Sequence, residues 1–272
     1  MPDGYYDSWD LTPPPILPHS RLYPLEPKGI GTSAVESLTS YTARLAEAHC
    51  LSIGALFMRE IAPLLDRTYL NTSHNIATFI GTAAQTISSI GAIAEDWVRS
   101  LETLTMRNDL RYLSLLTWKN TLSAHSLIRR SLAWCPICLE NERKAGQVIY
   151  EPLLWAFQDI TVCTLHDREL DHVCPHCKKQ LRIFRLTSRP GYCSNCRNWL
   201  GSSEGADLSN RIVITKEWEY RVWVANAIGE LLSNATVLPF RPSKERIAVT
   251  TSYLIDRVAE GNPSLFARLV YT

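Results

Sequence analysis

Seven of the eight cysteines in the chain, together with one histidine, form two sets of four potential metal ligands. The first set is Cys135-x2-Cys138 followed, after 24 residues, by Cys163-x2-His166. The second is Cys174-x2-Cys177 followed, after 15 residues, by Cys193-x2-Cys196. Two residues between paired ligands let one tight turn direct both side chains at a single ion, and two such turns complete a structural zinc tetrahedron. The spacing therefore predicts two bound structural Zn2+ ions.

The alternative to metal binding is a disulfide framework or a set of unrelated buried thiols. Four complete pairs that follow one another along the sequence favour metal. Metal-bound thiols together with the unpaired Cys50 are typical of a reducing compartment rather than a secreted scaffold. Cys50 itself stands in an apolar helical stretch, which predicts a small side chain in the core.

Catalysis is not expected from these ligand sets. Each set supplies four protein ligands, so neither leaves a coordination position for a reacting water. The sequence also has no P-loop or HExxH motif. We therefore predict that the protein is not an enzyme.

Residues 178–199 form a basic stretch in which aromatic side chains alternate with cations and no acidic residue occurs. Such a pattern suits phosphate contact and base stacking, which makes its cations candidate nucleic-acid contacts. A second explanation stays open, because four thiolates around Zn2+ leave a net charge near −2 that nearby cations offset without any ligand. The basic residues are Lys178, Lys179, Arg182, Arg185, Arg189 and Arg197.

The composition sets outer limits on the class of protein. The chain has 272 residues, enough for one large or two modest domains, with 28 Lys and Arg against 27 Asp and Glu. This balance gives no global field for a polyanion or a membrane. No basic and then apolar signal sequence opens the chain. The uncharged stretch Ile76–Ala94 is interrupted by glycine and polar residues, so we expect a buried or amphipathic helix pair rather than a membrane span.

The elements that must position the ligands are predicted to be mainly α-helical. Residues 1–31 are rich in proline, which forbids helix and favours an extended arm that packs on its own domain or on a partner. An N-terminal helical domain follows at 32–132. Tandem zinc modules occupy 133–200, and a C-terminal helical segment covers 211–272.

Capping signals place the first two helices. Ser33 with Glu36 has the spacing of a capping box, and the Ser52 hydroxyl can cap a second helix with one apolar face. The junction from Leu45 to Leu56 has the shape of a helix-turn-helix, although adjacent helices in any bundle look similar. The inner face of the second helix is Ile53, Leu56, Phe57, Ile61 and Leu64.

Three later segments also have recognisable patterns. Val148–Phe157 is β-branched and aromatic, and predicts a strand or a helix from Pro152 onward. Ser243–Ala259 predicts a helix, and a further one starts at Asn262. Ile214–Leu232 predicts an amphipathic helix with one apolar face. That face is Trp218, Val222, Ala225, Ile228 and Leu232.

Several motifs together resemble the TniQ family, the target-selection proteins of Tn7-like transposons. Near the front these are Leu17-Pro18-His19-Ser20-Arg21-Leu22-Tyr23 and Glu36-Ser37-Leu38-Thr39-Ser40-Tyr41. Trp134-Cys135-Pro136-Ile137-Cys138 resembles the family's first zinc finger, and Pro190-Gly191-Tyr192-Cys193-Ser194-Asn195-Cys196 resembles part of its second.

The resemblance implies a non-catalytic adaptor of the bacterial cytoplasm. Proteins of this kind join a target-bound module, such as a Cascade-like CRISPR effector with its guide RNA, to a TnsC-like AAA+ ATPase that recruits the transposase. An extended arm loses little ordering entropy on docking, so its residues and the first helix are candidates for the ATPase contact. TnsD-like members instead bind an attachment site in target DNA directly. The candidate ATPase contacts are His19, Arg21, Tyr23, Ile30 and Glu36.

Overall fold

The structure is a computed structural model that describes residues 19–65, 84–123, 126–203, 215–238, 241–250 and 252. In these residues the regular structure is mainly helical, which confirms the predicted class. A short antiparallel hairpin pairs β1 (Val162–Cys163) with β2 (Arg168–Glu169). The helices are α1 (Leu38–Ala48), α2 (Ile53–Leu56), α3 (Ala92–Thr105), α4 (Pro136–Lys144) and α5 (Lys216–Ser233).

Helix α1 begins later than the capping box at Ser33 predicts. Its N-cap is Ser37, whose side chain accepts a hydrogen bond from the Ser40 N–H. The preceding residues are extended because they pair with a distant segment: Glu36 forms an antiparallel bridge with Pro152. The Leu153 N–H also donates to the Val35 carbonyl at 2.7 Å. Tertiary pairing thus overrides a local capping signal.

Helix α2 starts where the sequence predicts, with the Ser52 side chain accepting from the Ala55 N–H. It then loses regular geometry in a π-helical turn, Phe57–Ile61, and a 3-10 turn, Ala62–Leu64. The helix-turn-helix therefore stays a prediction. The expected inner face is buried except for Leu64, which is 43% exposed, so that assignment was wrong.

Cys50 corrects a second expectation. It is exposed rather than in the core, because α1 has already ended and Cys50 adopts a left-handed backbone (φ 54°) in the turn to α2. A residue in such a turn projects away from the packed face of the helix that precedes it.

The buried side chains form one cluster that extends from Leu22 to Leu232. At its centre Trp97 stacks on Phe57 with ring centroids 5.4 Å apart. The edge of Trp97 meets Phe184, from the basic stretch, at 6.4 Å. Its indole N–H donates to Thr42 Oγ1 at 3.1 Å, so the polar atom of this buried ring is paired. The helical part and the second ligand set therefore share a core, and the predicted domain boundaries stay predictions.

Helix α5 confirms its predicted amphipathic face. Trp218, Ala225 and Leu232 are buried, and Val222 and Ile228 are half-buried against the core. The Thr215 hydroxyl caps the helix by accepting from the Trp218 N–H. This face packs on the β-hairpin and on the 3-10 turn Leu153–Ala156. That turn is the regular structure observed in the segment 148–157, for which the sequence predicted a strand or a helix.

At the C-terminal end, 244–250 is helical as predicted, and the rest of that helix and the one expected at Asn262 lie outside the described residues. Among the residues that the structure describes, no helix is both long enough and apolar enough to cross a membrane.

One buried ion pair holds the start of α1. Glu36 is fully buried and pairs with Arg44, of which 8% of the side chain is exposed. Ser40 Oγ donates to the other carboxylate oxygen at 2.9 Å, and the Lys28 N–H donates at 3.2 Å. Burial raises the pKa of Glu36, and the Arg44 charge opposes that rise.

We predict that Arg44→Met destabilises the protein by about 3–5 kcal/mol, because it leaves an uncompensated carboxylate in the core. Urea unfolding followed by circular dichroism measures this change. Arg99→Met is the matched control, since Arg99 is 67% exposed and its pair with Asp96 lies at the surface. A loss in Arg44→Met no larger than in the control would contradict the role of the pair.

Candidate metal centres

The first predicted ligand set converges on one point. The ligand atoms of Cys135, Cys138, Cys163 and His166 all lie within 4.8 Å of one another. The Cys138 and Cys163 sulfurs are 3.6 Å apart, and His166 Nδ1 lies 3.2 Å from Cys138 Sγ and 3.5 Å from Cys163 Sγ. A zinc tetrahedron with ordinary bond lengths has S–S edges of about 3.8 Å and S–N edges of about 3.5 Å. The set therefore fits a single Zn2+.

The second set has the same geometry with four sulfurs. Cys174 Sγ lies 3.7 Å from Cys196 Sγ, and Cys177 Sγ lies 3.7 Å from Cys193 Sγ. These separations are far longer than the roughly 2.05 Å of a disulfide and match the edge of a zinc tetrahedron. All eight cysteines of the chain are free. Both sets thus have the geometry of closed, structural metal sites rather than of a disulfide framework.

The backbone of the second set explains why these ligands point inward. The Cys174 and Cys193 carbonyls accept hydrogen bonds from the N–H groups of Lys178 and Arg197, at 3.0 and 2.8 Å. Lys178 and Arg197 adopt left-handed backbone with φ of 56° and 63°. Each ligand pair therefore sits on a closed turn, and the two turns repeat the same hydrogen bonds.

Backbone N–H groups stabilise the thiolate of Cys193. The Asn195 and Cys196 nitrogens each lie 3.4 Å from Cys193 Sγ. Burial opposes the Cys193 thiolate, but these donors stabilise it, and the pKa of Cys193 falls to about 7. The thiolate is the form that binds a metal ion.

The first set uses a helix where the second uses turns. Cys135 is the N-cap of α4 and Pro136 occupies its first position, where the missing N–H costs nothing. Cys138 follows in the first turn of the helix. On the other side, Cys163 ends β1 and His166 lies in the hairpin turn, so a helix and a hairpin bring the four ligands together.

Polar neighbours orient the histidines. His166 faces the metal point with Nδ1, and the Asn141 side-chain amide lies 3.2 Å from Nε2, where its oxygen can accept the ring N–H after an amide flip. His176 Nε2 lies 3.1 Å from the Trp199 carbonyl. His172 and His176 are exposed and belong to neither cluster, as the ligand spacing predicts.

The two metal centres are joined by Glu140, a residue that the sequence did not single out. Glu140 is buried on α4, accepts a hydrogen bond from Trp199 Nε1 at 2.9 Å and pairs with Arg143 at 2.7 Å. Trp134 Nε1 donates to the Leu200 carbonyl at 3.2 Å, and the Ser202 N–H donates to the Pro136 carbonyl at 3.1 Å. The end of the second module is thereby bonded to the start of the first.

The six predicted basic residues all lie at the surface of the second module. Arg189 pairs with Glu47 of α1 at 2.7 Å and lies over the Tyr192 ring at 4.3 Å. Arg185 donates to Asn195 Oδ1 at 2.7 Å. Among the described ion pairs, the other five cations have no carboxylate partner, so most of this charge faces solvent.

The candidate ATPase contacts divide into two groups. Arg21 and Tyr23 are exposed: Arg21 pairs with Glu60, and the Tyr23 ring stacks on His49 with centroids 4.2 Å apart. His19 is also exposed. Ile30 is partly buried against the core, whereas Glu36 is inside it and presents no surface.

These features define a helical protein with two joined, closed metal modules. The family model TniQ matches residues 27–170, more than half of the chain. The chain belongs to the TniQ family, whose members are non-catalytic accessory proteins of transposition. The match includes the whole first ligand set and ends before the second. A search of curated proteins found no match.

We predict that the purified protein holds two Zn2+ ions and that Cys177→Ser loses one of them and unfolds the second module. Metal binding of this kind stabilises small modules by on the order of 10 kcal/mol. Elemental analysis and thermal unfolding measure the two effects. Cys50→Ser, at an exposed thiol in neither ligand set, is expected to keep both ions. A soluble, folded wild-type protein with fewer than two metal ions would contradict the assignment.

Proposed function

We propose that this protein is a target-selection adaptor that links a Cascade-like, RNA-guided CRISPR effector at the target DNA to a TnsC-like AAA+ ATPase, which recruits the transposase. Membership of the TniQ family, shown by the match over 27–170, carries the proposal. Both metal centres use all four ligand positions for protein atoms, which suits a scaffold and leaves no site for a reacting water.

An adaptor needs two surfaces held in fixed relation, and the described residues supply two candidates. One is the exposed part of the arm, with Arg21 and Tyr23, and the other is the basic surface of the second module. Both meet the end of α1: Tyr23 stacks on His49, and Arg189 pairs with Glu47. The contacts of the two surfaces with α1 are therefore only two residues apart, at His49 and Glu47.

The arm is suited to the ATPase contact because it is held in place before binding. The Leu22 N–H donates to the Leu104 carbonyl at 2.8 Å, and Tyr41 donates to the Leu25 carbonyl at 3.0 Å. Arg21, just before the first attachment, is left 68% exposed, and Tyr23, between the two, is left 58% exposed. A surface ordered in advance loses little conformational entropy on association, and exposed Tyr and Arg are frequent hot spots.

We predict that Tyr23→Ala weakens binding to the TnsC-like ATPase about tenfold or more, the usual effect of truncating an interface hot spot. Biolayer interferometry with the immobilised ATPase gives the dissociation constant. Tyr220→Ala is the matched control, because Tyr220 is 53% exposed on α5. A point variant is preferable to deleting residues 1–31, which would also remove the buried Leu22.

In this test, zinc content and circular dichroism must match wild type. Binding by Tyr23→Ala as tight as that of the control would defeat the assignment of the arm to the ATPase.

The basic surface would face the effector or its nucleic acid. We predict that Lys179→Ala/Arg182→Ala weakens binding to a labelled DNA duplex and lowers the slope of log K against log salt by about 1–2 between about 50 and 200 mM NaCl. Lys119→Ala is the control, because Glu95 already pairs with Lys119. Fluorescence anisotropy measures both quantities.

Equal salt slopes in the variant and the control would place the nucleic-acid contact elsewhere. Tight, salt-resistant and sequence-specific binding to DNA without a partner would contradict the adaptor proposal. It would favour a TnsD-like protein that binds its attachment site directly.

A further inference from the structure

An open groove of about 480 Å3 lies between the α1–α2 corner and the second metal module. This volume falls within the range of about 300–1,000 Å3 that is usual for ligand pockets. Its apolar surface comes from Ala46 and Ile53 at the corner and from Leu186 and Tyr192 on the module. Cys50 also lines it and is exposed.

Positive charge predominates at the rim of the groove. Arg189 and Arg197 line it together with one acid, Glu47, which already pairs with Arg189. Among the described ion pairs Arg197 has no carboxylate partner. The groove therefore suits an occupant that carries both large apolar groups and carboxylates.

The arm of the same chain passes the edge of this groove. Tyr23 stacks on His49, its N–H donates to His49 Nε2 at 2.9 Å, and the next residue, Cys50, lines the groove. Residues 1–18, which precede this attachment, lie outside the described residues. This segment is thus joined to the described chain at His19, four residues before the attachment at Tyr23.

The sequence of that segment has the matching chemistry. Tyr5, Tyr6, Trp9 and Leu11 supply apolar side chains, and 1–18 contains no Lys, Arg or His. Its acids are Asp3, Asp7 and Asp10. Seven residues, 12–18, separate Leu11 from the described part of the arm, and a spacer of that length covers up to about 22 Å as polyproline II.

We propose that Tyr5–Leu11 docks in this groove of its own chain, with aromatic side chains against the apolar floor and Asp7 and Asp10 near Arg189 and Arg197. The docked segment covers two of the cations on the basic surface, and so it competes with nucleic acid there. The proposal is independent of the ATPase contact, which rests on Arg21 and Tyr23.

The exposed Cys50 thiol is a natural reporter of docking in the zinc-loaded, full-length protein. Maleimide labelling, assigned to Cys50 by peptide mass mapping, is expected to be faster in Trp9→Ala and in Asp7→Asn/Asp10→Asn than in wild type. A segment docked about nine-tenths of the time leaves the thiol open about one-tenth of the time, so its release accelerates labelling about tenfold. Trp223→Ala is the matched control, since Trp223 is 63% exposed on α5.

A second measurement keeps the test independent of any change in thiol chemistry. In Ser8→Cys, which keeps Trp9 in place, a short bismaleimide is expected to join the introduced thiol to Cys50 within one chain, at a yield that does not change with protein concentration. Equal labelling rates in wild type and Trp9→Ala, or crosslinks only between chains, would overturn the proposal. Neither readout involves the ATPase, so the two proposals fail separately.

Discussion

Closure of two four-ligand metal centres is the constraint on which the middle of this protein depends. Between Ser126 and Ser203 regular structure is limited to α4, one 3-10 turn and a hairpin with two residues per strand. Few hydrogen bonds of regular strands are therefore available to fix the backbone. Isolated bridges such as Val173–Gln180 and Tyr192–Trp199 provide further backbone pairing. Bridges of this kind persist only where something else holds their ends together. A metal ion bound by all four ligands of a set would do so.

The metal modules are also part of the core of the helical region. Phe184 of the second module meets Trp97 of α3, and Glu140 of α4 links Trp199 to the first module. Arg129 extends the same network: its buried guanidinium donates to the Phe157 carbonyl at 2.8 Å and to the Ile160 carbonyl. These buried side chains are closely packed and have few alternative arrangements, so the modules and the helices are held rigidly together. Such stiffness suits the proposed adaptor role, in which two partners are held in fixed relation.

Ligand spacing and helical periodicity predicted much of this arrangement, because both are local. The two ligand sets, the Ser52 cap and the buried face of α5 follow from residues close together in sequence. The start of α1 was not predictable in this way, since Glu36 pairs with Pro152 over a hundred residues away. The exposure of Cys50 and the irregular turn after α2 depend on the backbone path at the corner. Glu140 gave no sequence signal at all, because a single acid on an amphipathic helix usually faces solvent.

The residues with left-handed backbone that close the ligand turns are themselves surface cations. Lys178 and Arg197 occupy a backbone region that glycine enters far more easily, and holding a larger residue there costs about 1–3 kcal/mol. Coordination of a metal ion by the four thiolates would offset this cost. Without the ion both turns can relax, and the side chains then lose their common direction. If zinc is bound, the arrangement of these surface cations would depend on it, so a cell starved of zinc would hold the same polypeptide with its charges in a different arrangement.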